Sequence, residues 1–425
     1  MSLLSYLALG LFLAAFVIIS GDKINKTIVA VLGAVFFILT GIIGQDAVFS
    51  AIDWNVIFLL VSMMVIINVT KTTGLFQFVA IKTAKAARGD PLKILIALSL
   101  ITALFSSFLD NVTTVLILSP VTILIAVELG ISPVPFIICL AMASNIGGTA
   151  TLIGDPPNIM IGSAAKLDFI DFLANLGPVV LLILCVFSVL AVLLFRKELQ
   201  VSNERKARIM DFDESKSLQD KPLMMKCLVV LALVVAGFFF HGALGIEAST
   251  VAMFGAAFLL LLTGKRDLDA FYRDVEWGTI FFFIGLFILV EGLVDQGWIK
   301  KAAGLIMDLT RGDLRLTTAL LVWVSGAFSA VVDNIPYVAT MIPMVQDIAG
   351  DVGASAAEPL WWALSLGACL GGNGSLVGAS ANVVSAGIAA RNGYPISFKD
   401  FTKYGALVTV VSIAICTGYL LLRYF

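Results

Sequence analysis

The sequence predicts an all-α polytopic membrane protein built from two inverted-topology repeats, with about ten transmembrane helices, two re-entrant hairpins and one broken helix per repeat. Three observations predict it: an apolar composition too rich for a soluble fold, a set of local signatures that recurs at one fixed offset, and the distribution of lysine and arginine. Hydrophobic residues make up 60% of the 425 positions and charged residues 13%, whereas soluble domains sit nearer one half apolar. Apolar runs such as 3–20 and 27–40 recur along the chain, each near the length that crosses a hydrocarbon core of roughly 30 Å. No Lys or Arg precedes the first run, and the first cation is Lys23; a cleaved signal needs a basic start, so this run reads as a span.

The second observation divides the chain. Residues 1–195 form the first transmembrane repeat, 196–226 a polar cytoplasmic linker of mixed charge, and 227–425 the second repeat. Across the linker, an offset of 223 residues lays Asp53-Trp54 over Glu276-Trp277, Gly74 over Gly297, Phe105-Ser106 over Phe328-Ser329, Asp110-Asn111 over Asp333-Asn334 and Pro120 over Pro343. With one further residue, the stretch from Gly147 to Asn158 overlies that from Gly371 to Asn382. This many matches in register read as a tandem duplication.

The third observation sets direction. With the N-terminus outside, the cytoplasmic loops hold Lys23, Lys26, the 71–93 cluster, the linker cations, Lys265, Arg266, Arg273, Arg391, Lys399 and Lys403. Only Lys166, Lys300, Lys301, Arg311, Arg315 and Arg423 of the 27 Lys and Arg remain outside. The positive-inside rule therefore supports oppositely oriented halves with both termini periplasmic in an inner membrane.

Within the membrane, 94–127 and 317–345 carry Asp110-Asn111 and Asp333-Asn334 at their centres. Arms of about 16 residues reach roughly 24 Å as helix, short of the core, so a hairpin dipping partway fits each. A carboxylate at such depth is costly and reads as functional, although an aspartate at a broken helix also caps its backbone N–H groups. In the glycine-rich spans, Gly147, Gly148, Gly154, Gly371, Gly372, Gly374 and Gly378 free the backbone, and Pro156 and Pro157 stop a helix. Unwound carbonyls and half-helix ends there make sites for ions and polar cargo. Asn111, Thr149, Thr151, Asn158, Asn334, Asn373, Ser375 and Asn382 are the candidate cargo ligands. Asp110, Asp333, Asp155 and Asn145 are the candidates for ion or proton coupling. Small-residue helix packing is the bland alternative, but clustered amides need partners in a dry interior.

Other chemistries find less support. GGNGSLVG lacks the Gly-Lys-Ser/Thr of a phosphate loop. The five cysteines, Cys139, Cys185, Cys227, Cys369 and Cys416, form no CxxC pair, so neither a disulfide framework nor a zinc site is indicated. His241 is the only histidine and receives no role. A net charge of −2 implies no nucleic-acid partner. No cofactor and no dedicated metal site is expected, apart from Na⁺ at the cargo site.

SNIGGTATLIGDPPNIMIGSA at 144–164, with LDN at 109–111 and VDNIP at 332–336, resembles the ArsB/NhaD branch of the ion transporter superfamily, which includes the pigmentation P-protein. The resemblance covers essentially the whole chain. It implies a scaffold part and a moving transport part in each repeat, alternating access, and dimers in some relatives; a soluble ATPase partner stays open. Members of the branch carry arsenite and antimonite, or exchange Na⁺ for protons. No Lys or Arg lies in the Asp-Asn or glycine-rich segments, which disfavours strongly anionic cargo. The expectation is a carrier, not an enzyme, that exports arsenite or antimonite by proton antiport, with Na⁺/H⁺ exchange as the alternative. A passive channel and an intramembrane aspartyl protease are the remoter readings.

Overall fold

The computed structural model describes residues 2–21, 24–264 and 268–425; Lys23, Lys265 and Arg266 of the charge count lie outside them. The described chain is almost entirely helical, as lipid demands of a spanning segment whose backbone groups must be satisfied internally. It is an all-α polytopic membrane protein.

Leaving aside short helices at 48–51, 203–210 and 268–273, two series of helices run in the same order. The first is α1 (Leu3–Ser20), α2 (Lys26–Leu39), α3 (Trp54–Lys71), α4 (Leu75–Ala86), α5 (Pro91–Ser106), α6 (Asn111–Leu129), α7 (Val134–Gly148), α8 (Pro156–Ala165) and α9 (Phe169–Phe195). The second is α10 (Lys221–Leu244), α11 (Ala248–Thr263), α12 (Trp277–Asp295), α13 (Trp298–Thr310), α14 (Leu314–Ser329), α15 (Asn334–Val352), α16 (Ala354–Gly371), α17 (Ser380–Arg391) and α18 (Phe398–Tyr424).

Boundaries follow from local chemistry. Asp110 Oδ1 accepts from the Thr113 amide at 2.8 Å and Asp333 Oδ1 from the Ile335 amide at 3.2 Å, so both aspartates cap a new helix. The α3–α4 and α12–α13 junctions turn at Gly74 and Gly297, at φ 79° and 73°, a left-handed conformation that costs glycine little. Between α7 and α8, and again between α16 and α17, the helix stops and a short buried segment links two shorter rods.

Among the described residues, seven helices, α1, α3, α6, α9, α10, α12 and α18, are long and apolar enough to cross a membrane alone. That is fewer than the ten or so crossings expected, for a geometric reason. Helix α7, with 15 residues, reaches only about 22 Å and needs the buried linker and α8 to complete a crossing; α2, α5, α11 and α14 are also short.

Helices α2 and α3 pack on α12 and α11 respectively, so the opening helices of the two series interleave. Within each series α5 packs on α7 and α14 on α16. The rods after each break cross over: α8 lies on α15 and α17 on α6. This crossing brings the two breaks and the two Asp-Asn turns together, with Asp155 of the first break on Asn334 of the second turn and Ser380 of the second break on Asp333 of its own series.

The linker is largely exposed but docked at several points. Lys206 pairs with Asp90 at 3.0 Å and Lys85 with Glu214 at 2.6 Å. Arg205 donates to the Gly130 carbonyl at 2.8 Å, and Ile209 is buried.

Candidate transport site

A cavity of about 220 Å³ lies where the two Asp-Asn turns and the two breaks converge, and Asp110, Asn111, Asp155, Glu276, Asn334 and Lys26 are among its lining residues. Asp110 and Asn111 come from the start of α6, Asn334 from the start of α15, Asp155 from the position before α8, Glu276 from that before α12, and Lys26 from the start of α2. Asp155 is 1% exposed, and both its carboxylate oxygens face the Asn334 amide, at 3.2 and 3.4 Å. Asp333 stands at the edge of this space. Its Oδ2 accepts from Lys26 Nζ at 2.7 Å and from Ser380 Oγ at 2.8 Å, and Lys26 also reaches Ser380 Oγ at 3.1 Å.

Four carboxylates therefore gather around one ammonium group. Glu276 occupies the position that Asp53 holds in the first series. Asp53 caps α3 through the Asn55 and Val56 amides, whereas the longer Glu276 makes no cap and accepts instead from Thr279 Oγ1 at 3.1 Å. A glutamate where a capping aspartate stands in the other repeat was the sequence signal for this residue. Lys26 and Ser380 carried no local signal, since Lys26 meets Asp333 across 307 positions. The absence of Lys and Arg from the turn and break segments thus did not mean the absence of a cation from their surroundings.

Behind the cavity lies a buried amide network. Asn145 Oδ1 accepts from Asn111 Nδ2 at 3.0 Å, and Asn145 Nδ2 donates to Asn373 Oδ1 at 2.8 Å and to Asn382 Oδ1 at 3.0 Å. Asn158 Nδ2 lies 3.4, 3.1 and 2.9 Å from the carbonyls of Gly148, Thr149 and Thr151. Its Oδ1 accepts from Ser365 Oγ at 2.6 Å, with Cys369 Sγ at 3.6 Å. Asn382 Nδ2 does the same for Gly372 and Ser375, at 2.8 and 2.9 Å. The Thr151 and Ser375 hydroxyls donate to the Ser107 and Ala330 carbonyls at the hairpin turns.

The structure thus brings Asp110, Asn111, Asp155 and Asn334 to the cavity. It sets Asn145, Thr149, Thr151, Asn158, Asn373, Ser375 and Asn382 in the scaffold of hydrogen bonds around the breaks. The reason is local: an unwound segment in a dry interior presents orphan carbonyls, and the nearest amide satisfies them first. Among the described residues no three His, Cys, Asp or Glu side chains converge as metal ligands, so the carboxylates line a space rather than a preformed cage.

One of two vestibules adjoins the central cavity. A vestibule of about 260 Å³ at the α1–α2 turn shares Lys26, Ser380 and Val384 with the central cavity. The corresponding vestibule at the α10–α11 turn, about 400 Å³ and lined by Asn55, Asp168, His241 and Glu247 among others, shares none of the described lining residues with it.

A helical, membrane-embedded chain with carboxylates and amides gathered in a cavity between paired helix breaks has the build of a secondary transporter, and the family it matches is one of transporters. The sequence model of the CitMHS family, described as citrate transporter, matches residues 14–367, and the chain belongs to that family. It is 45% identical to an uncharacterized transporter of Mycobacterium tuberculosis and 46% identical to the 46 kDa membrane protein of Mycobacterium leprae, over 99% of each chain in both cases. It is also 32% identical to the human P protein over 98% of this chain and 60% of that protein.

Proposed function

We propose that the chain is a proton-coupled antiporter of the ArsB/NhaD type whose cargo is a small cation, with Na⁺ the cargo this lining supports best. The observation that carries the reading is the acidic balance of the cavity: Asp110, Asp155 and Glu276 line it, and its one ammonium is already engaged by Asp333. Several carboxylates in a low-dielectric space cannot all stay ionised unless a proton or another cation joins them. Exchange of one for the other at Asp110 and Asp155 is then the coupling step. Carboxylate and amide oxygens are hard ligands suited to such an ion, and Asn111 and Asn334 each spend an Nδ2 on a protein partner, leaving Oδ1 as an acceptor. A free tricarboxylate such as citrate would meet like charge here. Asp333, held by Lys26, is not placed to share a proton with Asp110 as a protease dyad would.

Export of arsenite or antimonite is the second reading. The same amides favour it, because uncharged As(OH)3 needs hydrogen bonds and no counter-ion. In both readings, 1–195 and 227–425 act as inverted repeats in an inner membrane with periplasmic termini, and the vestibule that adjoins the cavity is the entry for one half of an alternating-access cycle. A homodimer and a soluble ATPase partner carry no direct support from this site.

Proteoliposomes holding the purified chain and a trapped pH dye separate the readings. Na⁺ added against an imposed pH gradient should move protons, and Asp155→Asn or Asp110→Asn should abolish the response while the protein stays monodisperse. Proton movement driven by arsenite and not by Na⁺ would replace the first reading with the second. No response to either would remove both.

A further inference from the structure

We propose that Lys26 is a built-in cation that permanently fills the second of two equivalent ion positions, so that the protein binds one mobile cation per chain, at the first. The inference rests on the cation reading above and deepens it by fixing the number of ions.

The two Asp-Asn turns are alike in backbone and unlike in charge. Asp110 and Asp333 each commit Oδ1 to capping the helix that follows. At the second turn, Oδ2 is taken by Lys26 Nζ at 2.7 Å and Ser380 Oγ at 2.8 Å. The ammonium is further held by Ser380 Oγ and lies 5.1 Å from the centroid of the Phe282 ring. Carboxylate, hydroxyl and aromatic face together supply what a bound monovalent cation would take.

In the other repeat, the position 223 residues on from Lys26 is Ser249, which is neutral. None of the ion pairs among the described residues involves Asp110. The partner position of Ser380 is Pro156, and where the second break has Ala379 the first has Asp155. Asp110 therefore has no ammonium of its own, whereas Asp333 has Lys26, and Asp155 adds a further carboxylate that reaches across to Asn334. Asp333 is neutralised without an ion from solution; Asp110 and Asp155 are not.

Lys26 also lines both the vestibule and the central cavity, so its ammonium stands between the two spaces. A fixed positive charge at that point repels a second cation from the Asp333 end and leaves the Asp110 end as the place to settle.

The test counts ions on the detergent-solubilised full chain, using ²²Na⁺ in a scintillation proximity assay. One Na⁺ per chain is expected for the wild type, two for Lys26→Met, and one again for the double variant Lys26→Met/Asp333→Asn. Lys26→Arg, which keeps the charge, should count one. A wild type that binds none and a Lys26→Met that binds one would uphold the role of Lys26 while making the first position proton-only, so the Na⁺ reading alone would fall. A folded Lys26→Met whose count equals that of the wild type overturns the inference. Should Lys26→Met not fold, an Asp333→Asn chain that does fold decides the matter, because its freed ammonium should repel Na⁺ and lower the wild-type count; an unchanged count overturns the inference.

Discussion

Asn145 ties the two halves together at the level of the breaks, and replacing it by alanine should cost more than an average buried substitution. Its side chain accepts from Asn111 and donates to both Asn373 and Asn382, and all four residues are 5% exposed or less. Truncation leaves the Asn111 donor and two amide oxygens without these partners. A fully orphaned buried group costs ~1–3 kcal/mol. Some relief comes if water enters the vacated space, which is polar enough to hold one. Three groups in the lower part of that range give a loss of ~3–5 kcal/mol. With an unfolding entropy of about 2.1 cal/mol/K per residue, a chain of this length loses about 1 °C of Tm per 0.9 kcal/mol, so a drop of ~3–6 °C is expected. The assay is thermal unfolding in detergent followed by tryptophan fluorescence at fixed scan rate. Asn145→Asp is the control of equal size: it keeps the acceptor for Asn111 but sets a carboxylate against the oxygens of Asn373 and Asn382. It should fall at least as far as Asn145→Ala. If either variant melts within about 1 °C of the wild type, the amide network is not what fixes the breaks.

Other consequences can be checked independently. A methyl group on Gly147 would enter the backbone of Ala103 in α5, so Gly147→Ala should abolish monodisperse protein on size exclusion. Gly304→Ala, in the middle of α13 with nothing near it, should leave the yield unchanged or improved. The linker should respond to acid and not to mild pH change. Burial raises the Asp90 carboxyl, but hydrogen bonds from Lys206 and the Lys93 amide together with the Lys206 charge more than offset this and leave it below the usual range. Glu214 is lowered first by its hydrogen bond from Lys85. Depressed carboxyls stabilise above their unfolded values and lose that contribution as pH falls through the folded ones. Amide exchange across 203–217, corrected for intrinsic rate, should therefore stay flat from neutral pH down to about 4.5 and rise below about 4; loss of protection near pH 6 would contradict the docking.

What could be read from the sequence was whatever is settled within a turn or two of helix. The hairpin arms expected at 94–127 and 317–345 correspond to the helix pairs 91–106 with 111–129 and 314–329 with 334–352, the second arm of each being longer than the roughly 16 residues expected. The breaks themselves were legible because Asp-Asn caps, glycine turns and the prolines after Asp155 act on their immediate neighbours. The capping role and the interior position of Asp110 and Asp333 were both legible for the same reason. The division of labour among the asparagines was not. Asn158 and Asn382 look alike as polar residues in apolar surroundings, and only the backbone path shows that the unwound carbonyls 7 to 10 positions earlier capture their Nδ2 groups.

Charge is the harder case, and it bears on how any such site is read. Counted by segment, the turns and breaks carry aspartates and no lysine, which suggests two equivalent acidic positions. Counted by volume, Lys26 enters from α2 and removes one of them, while Glu276 enters from the head of α12 and adds an acid that the segment count omits. A lysine stem spans several ångströms and carries its charge away from its own helix, so neutrality in a membrane interior is a property of the cavity and not of the sequence that borders it. Duplication sharpens the point. Two copies of one motif share an Asp-Asn turn, and side chains from distant helices are enough to give one turn an ammonium and leave the other without one.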